Sequence, residues 1–92
     1  MKKGILEKLV SYLKAQGAKN VAIFGSYARG EEEVNDIDIL VEFSETKSLL
    51  ELAKMERELS EILGIKVDLL TEKSISPYLI DIIKKEMKVV YG

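Results

Sequence analysis

The sequence predicts an α/β domain, a small sheet with helices packed on it, and three observations carry that expectation. Apolar residues recur at helical spacing in three stretches, short apolar or alternating runs between them read as strands, and Gly or Pro marks most of the joints. At 92 residues the chain fits one domain, residues 1–92, with no internal repeat, linker or low-complexity tract. A domain of this size buries roughly 60–65% of the surface of its unfolded chain, so its core is thin and each layer counts.

Taken in order, Ile5, Leu6, Leu9, Val10 and Leu13 form the apolar stripe of a first helix, with Gly17 as its stop. Val21-Ala22-Ile23-Phe24 reads as a buried strand that ends at Gly25-Ser26, where a short helix is expected to begin. Residues 31–35 read as a polar loop, with Glu31-Glu32-Glu33 facing solvent. Asp36 to Phe43 alternates as a second strand, with Ile37, Ile39, Val41 and Phe43 on one face; Leu40 interrupts the polar face and predicts cover on both sides. Thr46 or Ser48 caps a helix whose apolar face is expected from Leu49, Leu50, Leu52, Ala53, Leu59, Ile62 and Leu63, and Gly64 ends it. Lys66 to Thr71 is a third strand. Ser76-Pro77 opens a last helix, with Tyr78, Leu79, Ile82, Ile83 and Met87 expected toward the core, and Val89-Val90-Tyr91 follows as a short apolar tail.

Composition narrows the chemistry. The chain is 47% hydrophobic and 33% charged, which is ordinary for a globular protein, and its net charge of −2 argues against bulk nucleic acid as a partner. With no Cys and no His, disulfides, thiolate sites and imidazole acid–base chemistry are excluded, so a metal would need oxygen ligands. The longest apolar run falls short of a membrane span and the N-terminus lacks a signal-peptide core, so the expected setting is the cytoplasm.

Three features then converge. Gly25-Ser26-Tyr27-Ala28-Arg29-Gly30 follows a buried strand: Gly25 permits a tight turn and close approach, Ser26 can cap a helix or donate to a phosphate oxygen, and Arg29 can donate to phosphate or anchor the loop. Asp36 and Asp38 lie two apart on a strand, so they project from one face with Cα atoms roughly 7 Å apart. Two such carboxylates repel unless a cation lies between them, and hard oxygen donors beside a substrate phosphate suit magnesium. Asp68, inside Val67-Asp68-Leu69-Leu70, is a charge in an apolar strand and needs a partner or a ligand role. If its strand adjoins the Asp36–Asp38 strand, the three carboxylates form one cluster able to serve a two-metal site. P-loop and dinucleotide-binding patterns are absent, since Glu31 follows Gly30 where a P-loop requires Lys.

The arrangement Gly25-Ser26, Arg29-Gly30, Asp36-x-Asp38 and a later strand Asp68 resembles the minimal nucleotidyltransferases (MNT) of the polymerase-beta-like superfamily, over nearly the whole chain. Asn35 stands where a serine is common in that family, and the spacer before Asp36 is short. The resemblance implies a mixed sheet flanked by helices, two magnesium ions, and ATP or another nucleoside triphosphate with its phosphates on Gly25 and Ser26. It implies that Asp36 and Asp38 bind both metals, and that Asp68 binds one and assists the acceptor hydroxyl. Stand-alone members resemble antitoxins that neutralise a HEPN-domain ribonuclease toxin by adding AMP to a tyrosine hydroxyl. A chain of this length is expected to lack an acceptor-binding domain, so the acceptor is expected from another molecule or a second copy of the chain.

Competing readings stay open at this point. Asp36 and Asp38 could be solvent-facing charges on an edge strand. Asp68 could cap a helix or pair with Arg29 or Lys66, and Ser26 could be a plain cap. For the whole chain, the alternative to an NMP transferase is a binding module that silences its partner by occlusion; a third reading is transfer to a small molecule.

Overall fold

The computed structural model describes residues 3–25 and 36–92, and the expected short helix, the polar loop at 31–35, Ser26 and Arg29 lie outside the described residues. In chain order the elements are α1 (Lys3–Ala15), β1 (Ala18–Phe24), β2 (Asp36–Phe43), α2 (Leu49–Leu63), β3 (Lys66–Leu70), a 3-10 turn (Glu72–Ser74), α3 (Pro77–Glu86) and β4 (Lys88–Tyr91). The strands form one sheet in the order β3-β2-β1-β4. β1 runs antiparallel to both β2 and β4, whereas β2 and β3 are parallel, so the sheet is mixed. This is the expected α/β architecture, with a helix as the crossover that a parallel pair requires.

Local chemistry sets the boundaries. Gly17, at φ +92°, ends α1. The Ser48 hydroxyl accepts from the Glu51 amide at 3.1 Å and opens α2, and Gly64, left-handed at φ +71°, closes it by donating its amide to the Ser60 carbonyl. Pro77 occupies the first turn of α3 behind Ser76, whose hydroxyl accepts from Leu79.

The core lies on one face of the sheet. Leu9 and Leu13 of α1 and Leu59 of α2 are fully buried against Val21, Ile23, Ile37, Ile39 and Val67. Leu40 and Ala22, in register with each other on the opposite face, are buried too, matching the expectation that β2 is covered on both sides near Leu40.

Three expectations need correction. On α2 the buried positions are Met55 and Leu59, flanked by half-buried Leu52 and Leu63; Leu49 and Leu50 are 81% and 84% exposed, and Ala53 and Ile62 are exposed. Leu52, Met55, Leu59 and Leu63 form a single stripe, and Leu49 and Leu50 fall in the first turn, ahead of the part of the helix that meets the core. On α3 no residue is buried, and Tyr78, Leu79 and Ile82 face outward while Ile83 and Met87 are half-buried. An apolar pattern records a preference for burial, but the core cluster closes without α3. The apolar tail, finally, is strand β4, with Val89 set against Ala22 of β1.

Candidate active site

The parallel pairing of β2 with β3 decides where the carboxylates go. Asp38 lies directly beside Asp68 in the ladder, and Asp36 lies beside Lys66. Paired residues on neighbouring strands project to the same face, with strands about 4.8 Å apart. Val67 and Leu69 alternate with Asp68 and are buried on the core side, so Asp68 must point to the opposite face, the one Asp38 and Asp36 share. Two carboxylates from strands 30 residues apart in sequence are thereby brought side by side.

Burial holds the Asp38 carboxyl above its ordinary value of 3.8, and the neighbouring Asp68 acts in the same direction, through a hydrogen bond between the two carboxyl groups and through its charge. Asp36 adds a smaller contribution, and Lys66 partly offsets it. A carboxyl raised by burial and by a neighbouring carboxyl favours holding a proton or gaining a cation as counter-charge. The third carboxylate stands further off: Asp36 is exposed at the start of β2, and among the described residues no three acidic groups converge closely enough to hold a metal ion as the side chains lie. The expected three-carboxylate cluster is, in this structure, a tight pair with a third charge on the same face.

Gly25 forms the floor under Asp38. It follows Phe24, which pairs with Asp38 across β1 and β2, and its φ of +75° is one that L residues rarely adopt. A Cβ built at Gly25 would stand 2.5 Å from Asp38 Oδ2. The close backbone approach expected of Gly25 is therefore present, and what approaches it is the Asp38 carboxylate. Ser26 and Arg29, expected on phosphate, lie outside the described residues.

Among the described residues the oxygen donors on this face, Asp36, Asp38 and Asp68, are carboxylates, which suits a hard divalent cation, and burial beside Asp68 disfavours ionisation of Asp38 without a counter-charge. Sequence reasoning missed two side chains near Asp68. Glu56 and Ser60 of α2 accept hydrogen bonds from the amides of Leu69 and Val67, on either side of Asp68. The only signal for them was a polar pair one turn apart beside the core stripe of α2.

Comparison with known proteins points to one family. The sequence profile of the nucleotidyltransferase domain matches residues 3–90. A Methanocaldococcus jannaschii protein named as a protein adenylyltransferase is 53% identical over 83 residues, covering 89% of each chain. The protein adenylyltransferase MntA of Thermococcus cleftensis is 38% identical over 95 residues, covering 94% of each. Among solved structures, a toxin–antitoxin complex with AMP-PNP superimposes with a TM-score of 0.86 at 27% identity, over 95% of this chain and 73% of that one. A structure described as a minimal nucleotidyltransferase does so at 0.80 and 34% identity, over 94% and 89%. The chain belongs to the nucleotidyltransferase domain family and is an enzyme of the nucleotidyl-transferring class.

Proposed function

We propose that this chain is a cytoplasmic, magnesium-dependent protein adenylyltransferase that moves AMP from ATP to a tyrosine hydroxyl of a HEPN-domain toxin, and so serves as an antitoxin. The observation that carries the proposal is the register of Asp38 beside Asp68 on one face of the sheet, next to the Gly25 turn. Relatives named protein adenylyltransferase and a structural neighbour crystallised as a toxin–antitoxin complex with AMP-PNP support the choice of nucleotide and of a protein acceptor.

In this scheme Asp36, Asp38 and Asp68 would hold magnesium, which when bound supplies positive charge to the phosphates and eases deprotonation of the acceptor. Gly25 keeps the floor of the site free of side-chain bulk, so that Asp38 can lie flat against it. Ser26 and Arg29 are assigned to the phosphates. The acceptor oxygen attacks the α-phosphorus, the bond to the bridging oxygen breaks, and pyrophosphate leaves with the bond's electrons. Asp68, on the same face as Asp38, receives the hydroxyl proton or helps the metal to lower the hydroxyl's pKa.

The alternative is neutralisation by occlusion, and it has one observation in its favour: Tyr78, Leu79 and Ile82 present an exposed apolar strip on α3. Incubation with α-phosphate-labelled ATP, magnesium and the co-expressed partner should place label on the partner. An Asp36→Asn, Asp38→Asn double variant should lose both label and protection of cells. Full protection by the unlabelling variant would favour occlusion, and absence of label with any of the four nucleotides would overturn the transferase proposal.

A further inference from the structure

We infer that Glu56 and Ser60 are positioning residues that hold Asp68 in register with Asp38, an inference that rests on the proposed role of Asp68 in the site. Among the described residues β3 is an edge strand, bonded to β2 on one side only. Backbone amides along a strand point alternately to its two sides, so those of Val67 and Leu69 face away from β2. Both are taken by α2. The Leu69 amide donates to Glu56 Oε2 at 2.8 Å, and the Val67 amide donates to Ser60 Oγ at 3.0 Å. The Ser60 hydroxyl in turn donates to the Glu56 carbonyl at 2.8 Å, which directs its free lone pair at the strand.

The spacing makes this a clamp. Glu56 and Ser60 stand one helical turn apart on the same side of α2, and the amides they receive stand two residues apart on β3, with Asp68 between them. One bond would leave the strand free to pivot; two fix its position and its orientation. The ionised Glu56 is the stronger acceptor of the two. Neither residue is needed to fill the core, where Met55 and Leu59 do that work. Hydrogen-bonded support of this kind aims ligating groups in metal sites and is felt in affinity and rate when removed.

The same bonds also close the outer edge of β3 against pairing with another chain. Edge protection alone predicts aggregation without a defect in the site, which separates it from positioning. Glu56→Leu removes the acceptor, whereas Glu56→Gln keeps an oxygen in place. Binding of Mn2+ alone, read from the free-ion electron spin resonance signal, should weaken about tenfold in Glu56→Leu and recover in Glu56→Gln. Amide exchange at Leu69 should accelerate in Glu56→Leu, and kcat for AMP transfer should fall by a similar factor with KM for ATP little changed. If Glu56→Leu does not fold, Ser60→Ala against Ser60→Thr makes the same comparison with almost no loss of volume. Wild-type Mn2+ affinity in monomeric Glu56→Leu overturns the inference, as does equal impairment of the Leu and Gln variants. Unaltered Mn2+ affinity in Asp68→Asn overturns the proposed role of Asp68 instead. The clamp is then judged by nuclear Overhauser contacts between the Asp38 and Asp68 backbones: weakening in Glu56→Leu supports it, and persistence overturns it.

Discussion

Replacing Gly25 by Ala separates backbone strain from damage to the site, because Gly64 supplies a matched control. Both glycines are left-handed, at φ +75° and +71°. Putting a Cβ on either should cost about 1–2 kcal/mol of folding stability, the usual penalty for an L residue in that conformation. They differ in what the new methyl meets. At Gly64 nothing lies within 4 Å, whereas at Gly25 the Asp38 Oδ2 oxygen is 2.5 Å away. That is about 1 Å inside van der Waals contact. The atom in the way is the end of a rotatable side chain, so the clash is relieved by turning the Asp38 carboxylate out of the position it holds against Gly25. Stability should therefore fall by similar amounts in Gly25→Ala and Gly64→Ala in urea melts. Transfer measured with labelled ATP should fall about a hundredfold in Gly25→Ala alone, the scale on which a 1 Å misplacement of a reacting group acts. Equal activity in the two variants would refute the assignment of Asp38 to the site, since its carboxylate could then move without consequence.

The Asp38 carboxyl, held above its ordinary value of 3.8, binds its proton more tightly in the folded than in the unfolded chain, so its stabilising contribution is complete below about pH 4 and is lost as pH rises through the raised value. Metal-free wild type should thus lose Tm between pH 4 and pH 7 more steeply than Asp38→Asn, and parallel Tm curves would count against the carboxyl pair. Leu59→Ala, in the fully buried core, should cost about 2–5 kcal/mol in urea melts. Leu50→Ala, at an 84% exposed position, should stay within about 0.5 kcal/mol of wild type. Ser48→Ala, which removes the acceptor for the Glu51 amide, should cost about 1 kcal/mol by the same measurement.

What was legible in the sequence was local. Ser48, Gly64 and Pro77 act within a turn of where they stand, and each terminates or opens the expected helix. The Asp36-x-Asp38 alternation placed both carboxylates on one face because a strand has period two. What escaped depended on partners distant in the chain. β4 is four residues long and acquires its identity by pairing with β1, so its own pattern carried little signal. Tyr78, Leu79 and Ile82 look like core residues until it is known that, among the described residues, the core is built by α1, α2 and the sheet without α3. Glu56 resembles any surface glutamate of a helix; its bond to Leu69 exists only because α2 returns the chain alongside β2.

That return ties the integrity of the site to the integrity of the core. Parallel neighbours require a crossover, and α2 makes it, bringing Asp68 level with Asp38 while Met55 and Leu59 pack beneath the sheet. A slip of β3 by one residue would exchange its faces, putting Asp68 into the apolar core and Val67 or Leu69 beside Asp38. The cost of burying an unpaired carboxylate forbids that arrangement. The correct register has its own cost, because burial, and then the Asp68 carboxyl beside it, hold the Asp38 proton affinity above its ordinary value. Val67 and Leu69 on one face, and the Glu56 and Ser60 bonds along the edge, are what hold β3 in that register. The carboxylates are thus kept together by apolar residues of the core face, and a cation between them would supply the counter-charge that two neighbouring carboxylates call for.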